Sequence, residues 1–426
     1  MTDFKSNPRA FLTALFNEAV AVADPMRVVA SHLPERPKGR FIVIGAGKAS
    51  ARMAEAVEAH YGPCEGLVIT RYGYDRPTQG IEIVQAAHPV PDAAGEAATV
   101  RMLDMVSGLS ADDVVIALIS GGGSALLCAP TDGVTLADKI DVNRALLASG
   151  APISEMNIVR KHLSRVKGGQ LAAACYPAKL LTLLISDVPG DDPSEIASGP
   201  TVGEASTAQD ALAIVERHNI VLPPHVSAAL VAKSAVVAPD DVRLENAKTK
   251  IIAAPSHSLL AAGARAQATG LDVRHLGDAL EGEARDLGVA QAQFAMKLQS
   301  EMSETDKPIL LLSGGECTVT RTRDGIGGPN AEFVLAAVIA LNGQDGIHVL
   351  ACDTDGVDGA AEVAGAYGGP QTMSRAQNAG VRPSVALADN DAHTFFDAVG
   401  GQIVTGPTLT NVNDFRAILI FGARKT

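Results

Sequence analysis

Residues 113–127 read DVVIALISGGGSALL, and this stretch constrains the fold of the chain more tightly than any other. The continuous apolar run from Val114 to Ile119 reads as a strand buried on both faces. It stops abruptly at Ser120-Gly121-Gly122-Gly123-Ser124, and a helix-compatible segment follows. Consecutive glycines remove every Cβ from the turn, so the backbone can take φ > 0 and its amides can approach a ligand closely. A glycine turn between a strand and a helix start is a natural anion site, because free N–H groups and the helix dipole both favour negative charge. The same residues also suit a tight turn that needs glycine for shape alone, and the stretch by itself does not separate the two readings.

The device recurs. Arg40–Ile44 runs into Gly45-Ala46-Gly47-Lys48-Ala49-Ser50 and then a helix at 51–59; Leu180–Ile185 ends in Ser186-Asp187-Val188-Pro189-Gly190-Asp191-Asp192. Further strands are expected at 66–70 and 82–85, and helices at 9–32, 92–107, 138–147 and 154–174. Apolar strands alternating with helices predict a parallel sheet covered on both faces. A second series follows the polar, proline-containing segment 221–247. Its strands are expected at 250–254, 272–276, 307–312 and 346–351, and its helices at 258–269, 284–301 and 332–340. Two α/β domains are therefore expected, 1–240 and 241–426, with a ligand cleft between them.

Composition narrows the class. The chain has 426 residues, 47% hydrophobic and 19% charged, which fits a globular protein of more than one domain. No apolar run approaches the ~18 residues of a membrane span, and the N-terminus carries no secretory pattern, so a cytoplasmic protein without a membrane partner is expected. A net charge of −13 argues against a general nucleic-acid surface, though not against a local basic pocket. The absence of Trp removes the usual base-stacking platform. Cys64, Cys128, Cys175, Cys317 and Cys352 form no CxxC pair and are odd in number, which supports neither a zinc site nor a disulfide framework.

Polar residues just beyond apolar strands are the first candidates for chemistry, because open α/β sheets bind ligands at the carboxyl ends of their strands. Lys48 lies there. Its turn half-matches a dinucleotide fingerprint, with Ser50 at the third glycine position, and does not match a P-loop. Asp187, Asp191 and Asp192 share one turn, where carboxylates repel unless a cation intervenes, and Mg²⁺ prefers a few such oxygens together with substrate phosphates. Asp353, Asp355 and Asp358 form a similar turn without the terminal Glu of a calcium loop. Arg160, Lys161, His162, Arg165 and Lys167 concentrate positive charge; on one helix, Arg160 and Lys167 would share a face, as would Lys161 and Arg165. Such a run is either an anion site or a solvated helix face. Ser124 does not lie in GxSxG, and His88, His162 and His257 show no metal-ligand spacing.

Together the segments IGAGKAS (44–50), ISGGGSALL (119–127), NIVRKHLSRVKGGQLA (157–172), LISDVPGDDPSEIASGPT (184–201), SGGECTV (313–319), GGPNAEF (327–333), DTDGVDG (353–359) and TGPTLTNVND (405–414) resemble the glycerate 2-kinases. The resemblance runs in family order along almost the whole chain. It implies an N-terminal Rossmann-like α/β/α sandwich and a C-terminal mixed α/β domain of the MOFRL type. The implied reaction is ATP-dependent phosphorylation of D-glycerate at its 2-hydroxyl, giving 2-phosphoglycerate and ADP, with Mg²⁺.

The resemblance also implies an active-site role for the lysine of GAGK, here Lys48. Asp187 is then expected to orient or deprotonate the substrate hydroxyl, with Asp192 reached by Mg²⁺ through the nucleotide. Ser120, Gly121, Gly122, Gly123, Ser124, Arg160 and Lys161 are expected to bind substrate or phosphate, with Asn330, Glu332, Asp355 and Asn411 supplied by the second domain. Many relatives read GGRNQE where this chain has Gly327-Gly328-Pro329-Asn330-Ala331-Glu332, so Pro329 replaces an arginine of the family. Arg321, Arg323 and Arg160 are the cations that could substitute for it. The expected partners are glycerate and ATP, and a homodimer is compatible with the chain. Relatives are also named hydroxypyruvate reductases of tartrate degradation, which makes NAD(P)H-dependent reduction the alternative. A protein that binds a small acid without turnover is a third class.

Overall fold

The computed structural model describes residues 3–359 and 361–422. The chain divides into two compact units: Pro25–Ile252, and a second that joins the N-terminal segment up to Asp24 to the chain from Ala253 onward. This differs from the expected cut near residue 240, for two reasons. The strand Ala247–Ala253 extends the first sheet rather than opening the second. The N-terminal helix Pro8–Val22 buries Phe11, Leu12, Leu15 and Phe16 against Leu259, Leu310 and Phe415 of the second unit. That helix is also shorter than expected, because the chain turns at Ala23–Asp24 and Pro25 opens a separate short helix.

The sheet of the Pro25–Ile252 unit comprises β1 (Phe41–Ala46), β2 (Glu65–Arg71), β3 (Ile81–Ala86), β4 (Val114–Ser120), β5 (Lys179–Ile185) and β6 (Ala247–Ala253). Its order is β3-β2-β1-β4-β5-β6, and β1 to β5 pair in parallel. Ile42, Ile44, Val115, Ala117 and Ile119 are fully buried, as near-continuous apolar strands require. In this order the chain reverses direction across the sheet between β1 and β4, which pair from Phe41↔Val114 to Ala46↔Ile119. Such a switch point is where doubly wound sheets bind ligands.

The helix expected over 154–174 is two helices, Ile153–His162 and Gln170–Cys175. Gly168 and Gly169 lie between them at φ 57° and 79°, left-handed values that end helical propagation. Arg165 and Lys167 therefore share no helical face with Lys161 and Arg160.

The other unit holds β7 (Asp272–Gly277), β8 (Gly282–Glu283), β9 (Ile309–Gly315), β10 (Cys317–Thr318), β11 (Ile347–Asp353), β12 (Gly365–Gly368), β13 (Gln402–Ile403) and β14 (Asp414–Ile420). A mixed sheet has the order β13-β12-β11-β14-β9-β7, with β14 antiparallel to both neighbours; β8 and β10 form a separate parallel pair. The Pro329–Leu341 helix is apolar nearly all round and packs into the core with Phe333, Val334 and Leu335 fully buried. The cysteines are buried and free. Among the described residues no helix is long and apolar enough to cross a membrane.

Candidate active site

The two glycine turns beside the switch point do different jobs. In the turn after β1, every amide from Gly47 to Ala49 is already used. Gly47 N donates to Ile69 O at 3.1 Å, Lys48 N to Gly121 O at 2.8 Å, and Ala49 N to the Ser120 hydroxyl at 3.0 Å. The turn is pressed against β4 so closely that a Cβ on Gly47 would lie 2.1 Å from Ser120 Oγ. What this turn can present to a ligand is therefore the side chain of Lys48.

The turn after β4 is the converse. Among the described residues, no acceptor takes the amides of Gly121, Gly122, Gly123 and Ser124. Gly122 stands at φ 79°, and a Cβ there would meet His88 at 3.1 Å and Lys48 Cγ at 3.2 Å. The Lys48 stem thus crosses beside the open turn, with His88 next to it. His88 follows β3, and isolated in sequence it carried no signal of this placement.

A third segment closes on the turn. After β5, Ala197, Ser198 and Gly199 take left-handed conformations in succession, with φ of 52°, 62° and 59°. L-residues adopt that region at a cost of about 1–2 kcal/mol each, and such strain persists only where the surroundings enforce it. Here they do. Ala197 Cβ occupies the space a side chain on Gly123 would need, at 2.6 Å, and the Ser198 and Ser124 hydroxyls pair at 2.8 Å. Gly168 N and Gly169 N donate to Ser198 O and Gly199 O at 3.2 and 2.9 Å. Asp187, half-buried, stands two residues past the end of β5. Asp192 is exposed and spends one oxygen on Ser194 N at 2.8 Å, whereas Asp191 Oδ1 is buried without a hydrogen-bond partner.

The basic group divides by partner. Lys161, expected to meet substrate, is 2% exposed and pairs with Glu204 at 2.6 Å and Glu195 at 3.3 Å, so its charge is neutralised within the fold. Arg160 donates only to neutral amides, to Asn143 Oδ1 at 2.8 Å and Asn157 Oδ1 at 3.1 Å. Burial holds its guanidinium below its ordinary pKa, with Glu195 opposing. Lys167 is buried and donates to the carbonyls of Ser124 and Leu127 at 2.8 and 3.2 Å, beneath the open turn.

In the second unit, strand register brings Asp353, Asp414 and Gly315 side by side. Asp358 accepts the amides of Asn330 and Ala331 at 3.0 and 2.8 Å and so caps the Pro329–Leu341 helix; His393 Nε2 lies 3.1 Å from the same carboxylate. Asn330 spans Asp358 and Asp414, donating to Asp414 at 2.6 Å. Burial raises the Asp414 carboxyl, against the nearby Arg416 guanidinium at 2.6 Å. Glu332, expected to meet substrate, is buried and held by Arg285 at 2.8 Å and Asn390 at 3.2 Å. Asp355 accepts Val357 N at 2.8 Å and Asn411 accepts Asn413 N at 3.2 Å, so each shapes its own loop.

Pro329 occupies the first turn of its helix, where a missing N–H costs nothing. Arg321 lines the same cavity of about 240 Å³ as Pro329, together with Gly327, Gly328 and Asn390. Arg323 is exposed.

Comparison with known proteins places this arrangement. Residues 11–231 match the family model described as Domain of unknown function (DUF4147), and residues 309–414 match the MOFRL family. A chain from Agrobacterium vitis that bears the provisional name hydroxypyruvate reductase is 51% identical, covering 97% of this chain and 94% of that protein. The D-glycerate 2-kinase of Thermotoga maritima is 36% identical over 94% of this chain and 95% of that protein. The crystal structure of glycerate kinase from Thermotoga maritima superposes with a TM-score of 0.87 at 35% identity, covering 97% of this chain and all of that one. The chain, which joins a DUF4147 domain to a MOFRL domain, belongs to the glycerate 2-kinase family.

Proposed function

We propose that this protein transfers the γ-phosphoryl group of ATP to the 2-hydroxyl of D-glycerate, giving 2-phosphoglycerate and ADP. The observation that carries the reading is the division of labour between the glycine turns. One offers a lysine and no amides, and the other offers amides with that lysine alongside. Phosphoryl transfer needs such preorganised positive groups more than it needs covalent chemistry. In this reading Lys48 and the Gly121–Ser124 amides stabilise the charge of the transferring group, Arg160 meets an anionic group of substrate or nucleotide, and Asp187 orients the attacking hydroxyl. Ser120 positions the Lys48 turn. Asn330, Asp355 and Asn411 fix the loops of the MOFRL half, and Arg321 stands in for the arginine replaced by Pro329.

Magnesium fits the Asp187–Asp192 turn. The orphaned buried oxygen of Asp191 is a hard donor, and Mg²⁺ on a nucleotide needs only one or two carboxylates. Among the described residues no group of three or more His, Cys, Asp or Glu is placed to hold a metal ion. When bound, it would neutralise charge on the phosphates; Asp191 and Asp187 would hold it, with Asp192 turned to the Ser194 amide. The buried free cysteines support a reducing, cytoplasmic setting.

The name of the Agrobacterium vitis relative keeps reduction of hydroxypyruvate as a second reading. It is disfavoured because the fingerprint-like turn has no amide left to cradle a dinucleotide pyrophosphate. ADP release with ATP, Mg²⁺ and D-glycerate, run beside NADH and NADPH oxidation with hydroxypyruvate, separates the two. Glycerate-dependent ADP release that falls by orders of magnitude in Lys48→Ala supports the kinase. Loss of reduced nicotinamide without ADP release would replace it with the reductase.

A further inference from the structure

The basic group that reaches the open turn through Lys167 holds more cations than ion-paired carboxylates, even with Arg165 beside Asp132 at 3.7 Å. Glu195 and Glu204 both pair with Lys161. Arg160 donates to amide oxygens and Lys167 to backbone carbonyls. A further cation joins them. Lys139 lies on the Leu136–Ala148 helix and is 8% exposed, with its Nζ buried and without a hydrogen-bond partner. It stands one helical turn before Asn143, on the same face, and Asn143 is the residue that holds Arg160 Nε at 2.8 Å. Burial lowers the Lys139 amine from its ordinary value, with Cys128 and the Glu96 carboxylate opposing and Arg160 adding to the shift. The Lys167 amine is likewise depressed by burial and then by Lys139.

A buried ammonium with no hydrogen-bonded acceptor is costly, and the cost is relieved when an anion enters or a proton leaves. Every other cation of this group has donors committed to oxygen atoms. Lys139 is the exception, and its amine feels the charge of Arg160, whose side-chain bonds go to amide oxygens.

We infer that Lys139 and Arg160 form an oxyanion subsite beneath the Gly121–Ser124 turn, taking a carboxylate or phosphate group of a small acidic ligand. The inference rests on the kinase reading for the identity of its ligand, D-glycerate or the phosphates of ATP, but not for its existence. Lys139 carries no signal in the sequence motifs, since it sits in an ordinary amphipathic helix. The chemistry is an ammonium–guanidinium pair closing on one oxyanion, with Asn143 and Asn157 holding the guanidinium in place.

The test is anion binding read without turnover. Thermal shift and calorimetric titration of the full-length protein with inorganic phosphate and, separately, D-glycerate are compared with Lys139→Met, which keeps the stem and removes the charge. The expected result is binding of at least one of the two by the wild type, weakened about tenfold or more in the variant, with partial recovery in Lys139→Arg. Weakening with phosphate alone assigns the subsite to the nucleotide, and weakening with D-glycerate alone assigns it to the acid substrate. Unchanged affinities in Lys139→Met, or no response of the wild type to either anion, overturn the inference. Should Lys139→Met fail to fold, Asn143→Leu, which releases Arg160, must weaken the same anion. Phosphate binding that depends on Lys139 in a protein without kinase turnover would leave the subsite standing and remove the kinase reading.

Discussion

The Ser120 hydroxyl accepts the Ala49 amide at 3.0 Å and lies 3.3 Å from the Ser50 hydroxyl, so the end of β4 completes the turn that follows β1. Ser120 is fully buried, and its removal leaves the Ala49 amide with nothing to bond. Ser120→Ala is expected to cost about 1–3 kcal/mol, the penalty for an unsatisfied buried donor. Because Lys48 rides on the same turn, turnover should fall as well. Denaturant midpoints and glycerate-dependent ADP release check both; a variant with wild-type stability and rate would show that the turn holds its shape without this bond.

Gly122 gives a test with the opposite balance. Its φ of 79° is open to any residue at about 1–2 kcal/mol, a loss a protein of this size can absorb. The added Cβ, however, would stand 3.1 Å from His88 and 3.2 Å from Lys48 Cγ. Gly122→Ala is therefore expected to shift the unfolding midpoint slightly while lowering turnover by about 10²-fold, the scale on which a small misplacement of a charged group acts. Comparable rates in Gly122→Ala and wild type would place the Lys48 amine away from the reacting group.

How far the sequence was readable depends on which interactions set each feature. The Val114–Ser120 strand and its turn were legible because an apolar run and three glycines act locally. The parallel sheet followed from the absence of polar alternation, as the full burial of Ile42, Ile44 and Ile119 bears out. The break at Gly168 and Gly169 was present in the sequence, but helical periodicity on either side masked two residues whose left-handed φ decides the matter. The N-terminal helix could not be assigned to the second unit, because nothing near Phe16 in sequence announces its contact with Phe415, ring centroids 6.0 Å apart. In the site, residue type gave Lys48 its place beyond β1, whereas the internal partners of Lys161 and Glu332 were not legible for a physical reason. A charged residue bought into the interior by a partner looks, from its own position alone, like one reserved for a ligand.

Lys161 makes that point testable. Its ammonium meets Glu204 at 2.6 Å and Glu195 at 3.3 Å, and the Glu204 carboxyl titrates below its ordinary value even though burial pushes it up, because Lys161 and the Ser206 amide bond to it. Lys161→Met leaves two half-buried carboxylates without their shared cation, a loss of about 2–3 kcal/mol, below the penalty for a fully buried pair. The signature is a large fall in midpoint with little change in the Michaelis constant of the folded fraction. The reverse pattern, full stability and a raised Michaelis constant for glycerate, would return Lys161 to the substrate site.

His348 supplies a prediction in pH. It lies near the start of β11, with Nδ1 2.7 Å from the Tyr367 hydroxyl, and burial brings its pKa down to about 4, with Asp345 opposing. An unfolded histidine titrates near 6.5, so within the window from about 6.5 down to about 4 the unfolded chain takes a proton that the folded chain refuses. Stability linked to this group is complete above that window and drains away as the pH falls through it, by about 3 kcal/mol in all if no other proton uptake compensates. Carboxylates titrating toward the lower end add their own slope, so the measurement is a difference. Unfolding free energies of wild type and His348→Gln, taken between pH ~7 and ~4.5, should converge as the pH falls, because only the wild type loses the histidine contribution. Parallel curves would mean that the ring accepts its proton in the folded state, with the Tyr367 hydroxyl turning to receive the bond instead of giving it.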